Sequence, residues 1–182
     1  MTTIIDGSGS ADFATPLPVA EGGTGATSLA LGKVVQVVNV QTGAVATGTT
    51  VMPLDDTIPQ ITEGNEFMTL AITPTSASNK LKIEVVCMLA QSGTSTRLLA
   101  ALFQDSTADA LAVGWSGRNG TSDDEAVLVF THYMTSGTTS ATTFKVRAGE
   151  GIAGTVTFNG RAGARMFGGV MASSITITEY TA

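Results

Sequence analysis

From Gly32 onward, apolar and polar side chains alternate along the chain. The clearest stretches are Lys82-Ile83-Glu84-Val85 and Ser174-Ile175-Thr176-Ile177-Thr178-Glu179-Tyr180. A period of two is that of a strand with one face buried. Runs of this kind predict strands over 34–41, 44–51, 67–72, 81–91, 97–104, 110–115, 126–134, 142–146, 155–158 and 174–180. Thr, Val and Ile dominate them, as pleated, half-buried surfaces favour. Turn-forming pairs separate the runs, among them Thr42-Gly43, Ser78-Asn79, Asn119-Gly120, Ser136-Gly137 and Asn159-Gly160. Only 28–31 and 104–111 leave room for a turn of helix. Short strands at this spacing predict an all-β, antiparallel sandwich or barrel over residues 31–182.

Residues 1–30 follow a different rule. Gly7-Ser8-Gly9-Ser10, Pro16-Leu17-Pro18 and Gly22-Gly23-Thr24-Gly25 leave too few apolar side chains for a core. The prolines favour an extended path. The islands Ile4, Ile5, Phe13 and Leu17 are the groups available to dock this arm on another chain.

Charge changes the picture. Charged residues make up 13% of the 182 and hydrophobic ones 43%, with 29 threonines and a net charge of −6. An anionic chain without Lys or Arg clusters does not hold a phosphate backbone, so nucleic acid is not an expected partner. The first basic residue is Lys33 and no apolar segment follows Met1, so the expectation is a protein without a secretory leader, made in a cytosol. No apolar run approaches the roughly 18 residues of a membrane helix, so no insertion is expected. Exposed strand positions are largely Thr, Ser and Ala, and Leu98-Leu99-Ala100-Ala101-Leu102-Phe103 is apolar on both faces. Such a run must be covered on both sides. A symmetric oligomer, in which copies shelter one another's sheets, accounts for both features.

Candidate chemistry is sparse. The single cysteine, Cys87, lies in an apolar strand and reads as a small core residue. The single histidine, His132, lies on a predicted strand and reads as structural. With so few nitrogen and sulfur ligands, no metal site is expected. Gly149-Glu150-Gly151-Ile152-Ala153-Gly154 matches a dinucleotide-binding spacing, but a strand rather than a helix follows it and Glu150 repels phosphate. It reads as a flexible hairpin loop, and no cofactor is expected. The acidic groups Asp55-Asp56 and Asp123-Asp124-Glu125 read as solvated turns. No catalytic residue is assigned; a small glycan hydrolase working through Asp123 or Glu125 with a second carboxylate is the enzymatic alternative.

The remaining polar cluster runs from Gly114 to Asp124 and holds the only tryptophan. Trp115, Arg118, Asn119, Asp123 and Asp124 combine a flat ring for the C–H face of a sugar with short polar arms for its hydroxyls. They are the receptor-binding candidates. The alternative is that Trp115 caps the core beside an ordinary turn. Asn119-Gly120-Thr121 also fits a glycosylation acceptor, which has no meaning without secretion.

Pro16-Leu17-Pro18-Val19-Ala20-Glu21-Gly22-Gly23-Thr24-Gly25-Ala26 resembles the Pro-Val-x-x-Gly-Gly-Thr-Gly-Ala segment that recurs in tail-fibre proteins of tailed bacteriophages. The β region, by composition and rhythm, is similar to the distal domains of short phage fibres. The resemblance implies a homotrimer and a virion location after assembly in the host cytoplasm. It implies that the arm, through Ile4, Ile5, Phe13 and Leu17, grips other virion proteins. It also implies an outward jelly-roll knob that contacts a host-surface glycan or protein. Because the chain is short and has no long shaft, the alternative within the same resemblance is a head fibre or decoration protein on the capsid.

Overall fold

The computed structural model describes residues 32–92, 97–116 and 124–182. Residues 33–182 make one compact unit. Its strands are β1 (Val34–Thr42), β2 (Ala46–Gly48), β3 (Asn65–Ile72), β4 (Lys80–Ala90), β5 (Leu98–Gln104), β6 (Ala112–Trp115), β7 (Glu125–Thr135) and β8 (Thr142–Glu150). Short β9 (Val156–Phe158), β10 (Gly160–Arg161) and β11 (Ala164–Arg165) follow, then a 3-10 turn at Phe167–Gly169 and β12 (Ser173–Tyr180). The anchoring candidates Ile4, Ile5, Phe13 and Leu17, and the possible helical turn at 28–31, lie outside the described residues.

Four long strands form the first sheet in the order β1-β12-β4-β7, with β9 and β2 continuing it where β4 outruns β12. The second sheet runs β3-β8-β5-β6. Every pairing among the described strands is antiparallel. Among the eight strands of β1-β12-β4-β7 and β3-β8-β5-β6, only β5 and β6 are both consecutive and neighbours in one sheet; the other connections between these eight cross between sheets. That is the strand order of a jelly roll. The fold is the all-β antiparallel sandwich that alternation predicts.

Period two explains the core. Leu81, Ile83, Val85, Cys87 and Leu89 on β4 point inward, as do Ile175 and Ile177 on β12. They meet Leu98, Ala100 and Leu102 of β5 and Phe144 and Val146 of β8. Burial pushes the Cys87 thiol up to about 12, so it stays protonated and unreactive.

Three sequence expectations need correction. The run predicted at 44–51 keeps only β2 as strand; residues 49–64 instead cross the outer face of the second sheet as a strap. There Met52 and Ile61 pack on Leu99, Ala101, Phe103 and Ala110 in a second, smaller core. The doubly apolar run 98–103 is therefore covered on both faces within one chain, and it no longer argues for an oligomer. The strand predicted at 142–146 continues to Glu150, so Gly149 and Glu150 belong to β8 and not to a flexible loop. Finally, 104–111 turns without forming helix. The β10–β11 hairpin was not predicted, because two-residue strands are too short to show a period.

Gly149 is glycine because the strap passes over it. A Cβ there would lie 2.7 Å from the Thr50 carbonyl oxygen and 3.0 Å from the Met52 nitrogen, both backbone atoms. The strap is held at this point by the Met52 amide, which donates to the Glu150 carbonyl at 3.0 Å. Gly149→Ala is expected to cost about 1–3 kcal/mol by overpacking, read as a lower urea midpoint with an unchanged slope.

Strand direction gives the sandwich two unlike ends. β1 begins, and β12 finishes, at the end where Lys33 and Thr181 bond each other: the Lys33 amide donates to Thr181 Oγ1 at 3.0 Å and the Thr181 amide to the Lys33 carbonyl at 2.9 Å. The connections 73–79, 105–111 and 136–141 lie at this entry end, since Ile72 pairs Thr142 and Lys80 pairs both Tyr180 and Thr135. By the same registers, Gln91, Ser92, Arg97, Ser116, Asp124 and residues 151–172 belong to the opposite end.

Candidate functional site

The opposite end carries Trp115, the last residue of β6. Its inward neighbour Gly114 sits against the Phe130 ring of β7, where a Cβ would come within 2.7 Å of the ring. Alternation therefore turns Trp115 outward, and it is 53% exposed. This overturns the reading in which Trp115 caps the core. The Arg97 guanidinium lies 6.0 Å from the ring centroid, within cation–π range. Arg97 joins Trp115 because Leu99 pairs Trp115 in the β5–β6 ladder. Nothing in the linear sequence announces that pairing, so sequence reasoning missed Arg97.

Of the other receptor-binding candidates, Arg118, Asn119 and Asp123 lie outside the described residues. Asp124 is partly buried, and its carbonyl accepts the Gln91 amide at 3.0 Å. Glu125, the carboxylate of the hydrolase alternative, opens β7 and pairs with Arg161 at 3.3 Å. Asp55 is exposed; its Oδ1 accepts from the Thr57 hydroxyl at 2.6 Å and the Thr57 amide at 2.9 Å, which hold its carboxyl below the usual range. His132 lies on the core-facing side of β7 opposite Ile83, and burial lowers its pKa. Among the described residues, no three His, Cys, Asp or Glu side chains gather where a metal ion would sit.

A second feature is the outer face of the first sheet. On β7, Val127, Val129 and Tyr133 point outward and are 57%, 66% and 66% exposed. Val129 pairs Val86 and Val127 pairs Met88 in register, so their side chains share one patch. Several polar groups beside it engage one another. Lys82 and Glu84 form an ion pair at 2.8 Å, and Asn39 Nδ2 donates to Thr176 Oγ1 at 2.8 Å. What this face offers a partner is hydrocarbon.

No protein-family model matches the chain, and no curated protein does. Solved structures that match in part include Eiger TNF from S. frugiperda, with 8% identity, 79% of this chain and 92% of that chain covered, and a TM-score of 0.45. A chain of infectious bursal disease virus, Gt strain, gives 13% identity, coverage of 92% and 43%, and a TM-score of 0.38. The enzymatically active domain of bacteriophage CBA120 tailspike protein 4 gives 16% identity, coverage of 70% and 19%, and a TM-score of 0.25. This chain spans less than half the length of the viral chain and about a fifth of the tailspike domain. These likenesses transfer no activity to this chain.

Proposed function

We propose that this chain is a structural virion protein, a bacteriophage tail fibre whose N-terminal arm docks on the particle and whose β knob meets the host surface as a homotrimer. The observation that carries the reading is the polarity of the sandwich. The backbone enters at Lys33, at one end. The exposed Trp115 with Arg97 above its ring stands at the other. Trp115, with Arg97 at its ring, thus stands at the end of the sandwich remote from Lys33. The glycine-rich segment 16–28 supports the virion assignment by its resemblance to fibre proteins.

The patch on β4 and β7 supports self-association. Exposed apolar surface of this kind marks an interaction site when it is contiguous. Copies meeting through it bring several Trp115 sites to one target, and avidity then supplies the affinity that one shallow site lacks.

Two measurements test this reading. Antibody labelling of intact particles is expected to place the protein at the tail; labelling of the capsid instead supports the head-fibre alternative. Trp115→Ala is expected to lower adsorption of the purified protein to host cells by tenfold or more, with no change in assembly mass. Unchanged adsorption removes Trp115 from the receptor site.

A further inference from the structure

The strap and β6 enclose a cleft whose lining contains neither Trp115 nor a residue of the self-association patch. Near the entry end the strap runs as an extra strand beside the approach to β6. Gln60 bridges Asp109, the Ala110 amide donates to the Pro59 carbonyl at 2.9 Å, and the Ile61 amide to the Ala108 carbonyl at 2.8 Å. Before Pro59 the strap leaves this ladder. Residues 55–59 then face 110–113 across a cleft of about 350 Å³. Ile58, Leu111 and Val113 give it apolar walls, and Asp55, Asp56 and Thr57 its polar rim.

One wall is an open sheet edge. β6 ends the second sheet and pairs with β5 alone among the described strands. The Ser116 amide bonds the Leu98 carbonyl at 2.9 Å. Alternation therefore turns the backbone groups of Ala112 and Gly114 toward β5, and those of Val113 and Trp115 toward the open side. The rim is anionic. Neither Asp55 nor Asp56 belongs to an ion pair among the described residues, and Asp55 engages Thr57 through Oδ1 only. The chain's own arm is a poor occupant, because residues 1–32 contain Asp6, Asp12 and Glu21 but no Lys or Arg.

We propose that this cleft receives an extended segment of another protein carrying a Lys or Arg, which adds to β6 as a further strand of the β3-β8-β5-β6 sheet. Main-chain bonds to Val113 and Trp115 supply affinity, Ile58 and Val113 receive an apolar side chain, and Asp55 with Asp56 selects the cation. A strand edge with donors and acceptors at two-residue spacing matches the repeat of a peptide backbone, so a peptide is the ligand the geometry favours. The inference stands apart from the fibre reading and does not require it.

The test is selection of a random peptide display library on the full-length protein. Enriched peptides are expected to carry a basic residue between alternating apolar ones. The synthesised peptides are expected to protect the Val113 and Trp115 amides from hydrogen exchange. Their affinity is expected to fall about tenfold on Asp55→Asn/Asp56→Asn, and to weaken in about 0.5 M salt. Val113→Pro removes one of the open donors, at an edge where proline is tolerated, and is expected to abolish binding. If that variant fails to fold, the asparagine pair and the exchange data still decide. Enrichment without basic residues, binding that leaves both amides unprotected, or no enrichment overturns the proposal. So does a chitosan oligomer that perturbs the cleft where no peptide does, which points to a saccharide. Absence of the protein from virions ends the fibre reading and leaves this one standing.

Discussion

Val129→Asp is expected to reduce the native assembly to 18.5 kDa monomers without unfolding the sandwich. Val129 is 66% exposed at the centre of the β7 outer face, so the folded monomer accommodates a carboxylate there at little cost. Burial of that carboxylate between copies is different. It loses hydration worth several kcal/mol per ion; Lys82 is already bound to Glu84, and Lys80, at the entry end of β4, is engaged by the Thr135 hydroxyl. Closed symmetry repeats the cost at every interface. Native mass spectrometry is expected to give three times 18.5 kDa for the parent chain and 18.5 kDa for the variant, with superimposable circular dichroism. A parent chain that sediments as a monomer at micromolar concentration overturns self-association through this face.

The second large effect lies at the entry end. Glu179 follows Ile175 and Ile177 on the inward side of β12 and is fully buried. Its Oε1 accepts from Asn79 Nδ2 at 2.6 Å, the Thr75 amide at 2.8 Å and the Thr75 hydroxyl at 2.9 Å. Oε2 accepts from Gln36 Nε2 at 2.6 Å. One carboxylate thus ties β1, β12 and the 73–79 connection together. Burial by itself raises its pKa; the hydrogen bonds from Asn79, Gln36 and Thr75 outweigh burial and bring it to about 2, from an ordinary value of 4.5.

Glu179→Gln replaces one accepting oxygen with an amide NH2, turning a donor toward donors, and leaves at least one of them buried and unpaired. The expected loss is about 2–4 kcal/mol at neutral pH. The pH dependence follows from the sign of the shift. With the folded pKa below the unfolded one, the carboxylate's contribution is complete above about 4.5 and is lost as pH falls toward 2. Urea titrations at pH 6 and pH 3 are expected to show a fall in parent stability that the Gln variant lacks in part. Equal acid sensitivity in the two proteins contradicts this role for Glu179.

The predictions show where pattern reading works. Alternation in 174–180 puts Glu179 on the core side together with Ile175 and Ile177, and this is legible from the sequence alone. Its four donors come from β1 and from a connection about 100 residues away, which no local period encodes. Trp115 is similar. A lone tryptophan beside polar residues marks a candidate, but only the β5–β6 register brings Arg97 over it. The run 98–103 misled for the same reason. Two apolar faces demand two covers, and a sequence does not say whether the second cover is another copy or a strap from the same chain.

What the amino-acid order determined by itself is the secondary structure and the fold class. A strand's period, its β-branched residues and its turn glycines are local properties, set by side-chain geometry within a few residues. The tertiary structure decided which strands are neighbours, which apolar faces stay bare and which polar groups meet. Those outcomes depend on contacts between residues distant in the chain, where burial and hydrogen bonding are satisfied collectively. The bare face of β7, the strap over β5 and the buried Glu179 therefore became visible only once the two sheets were packed.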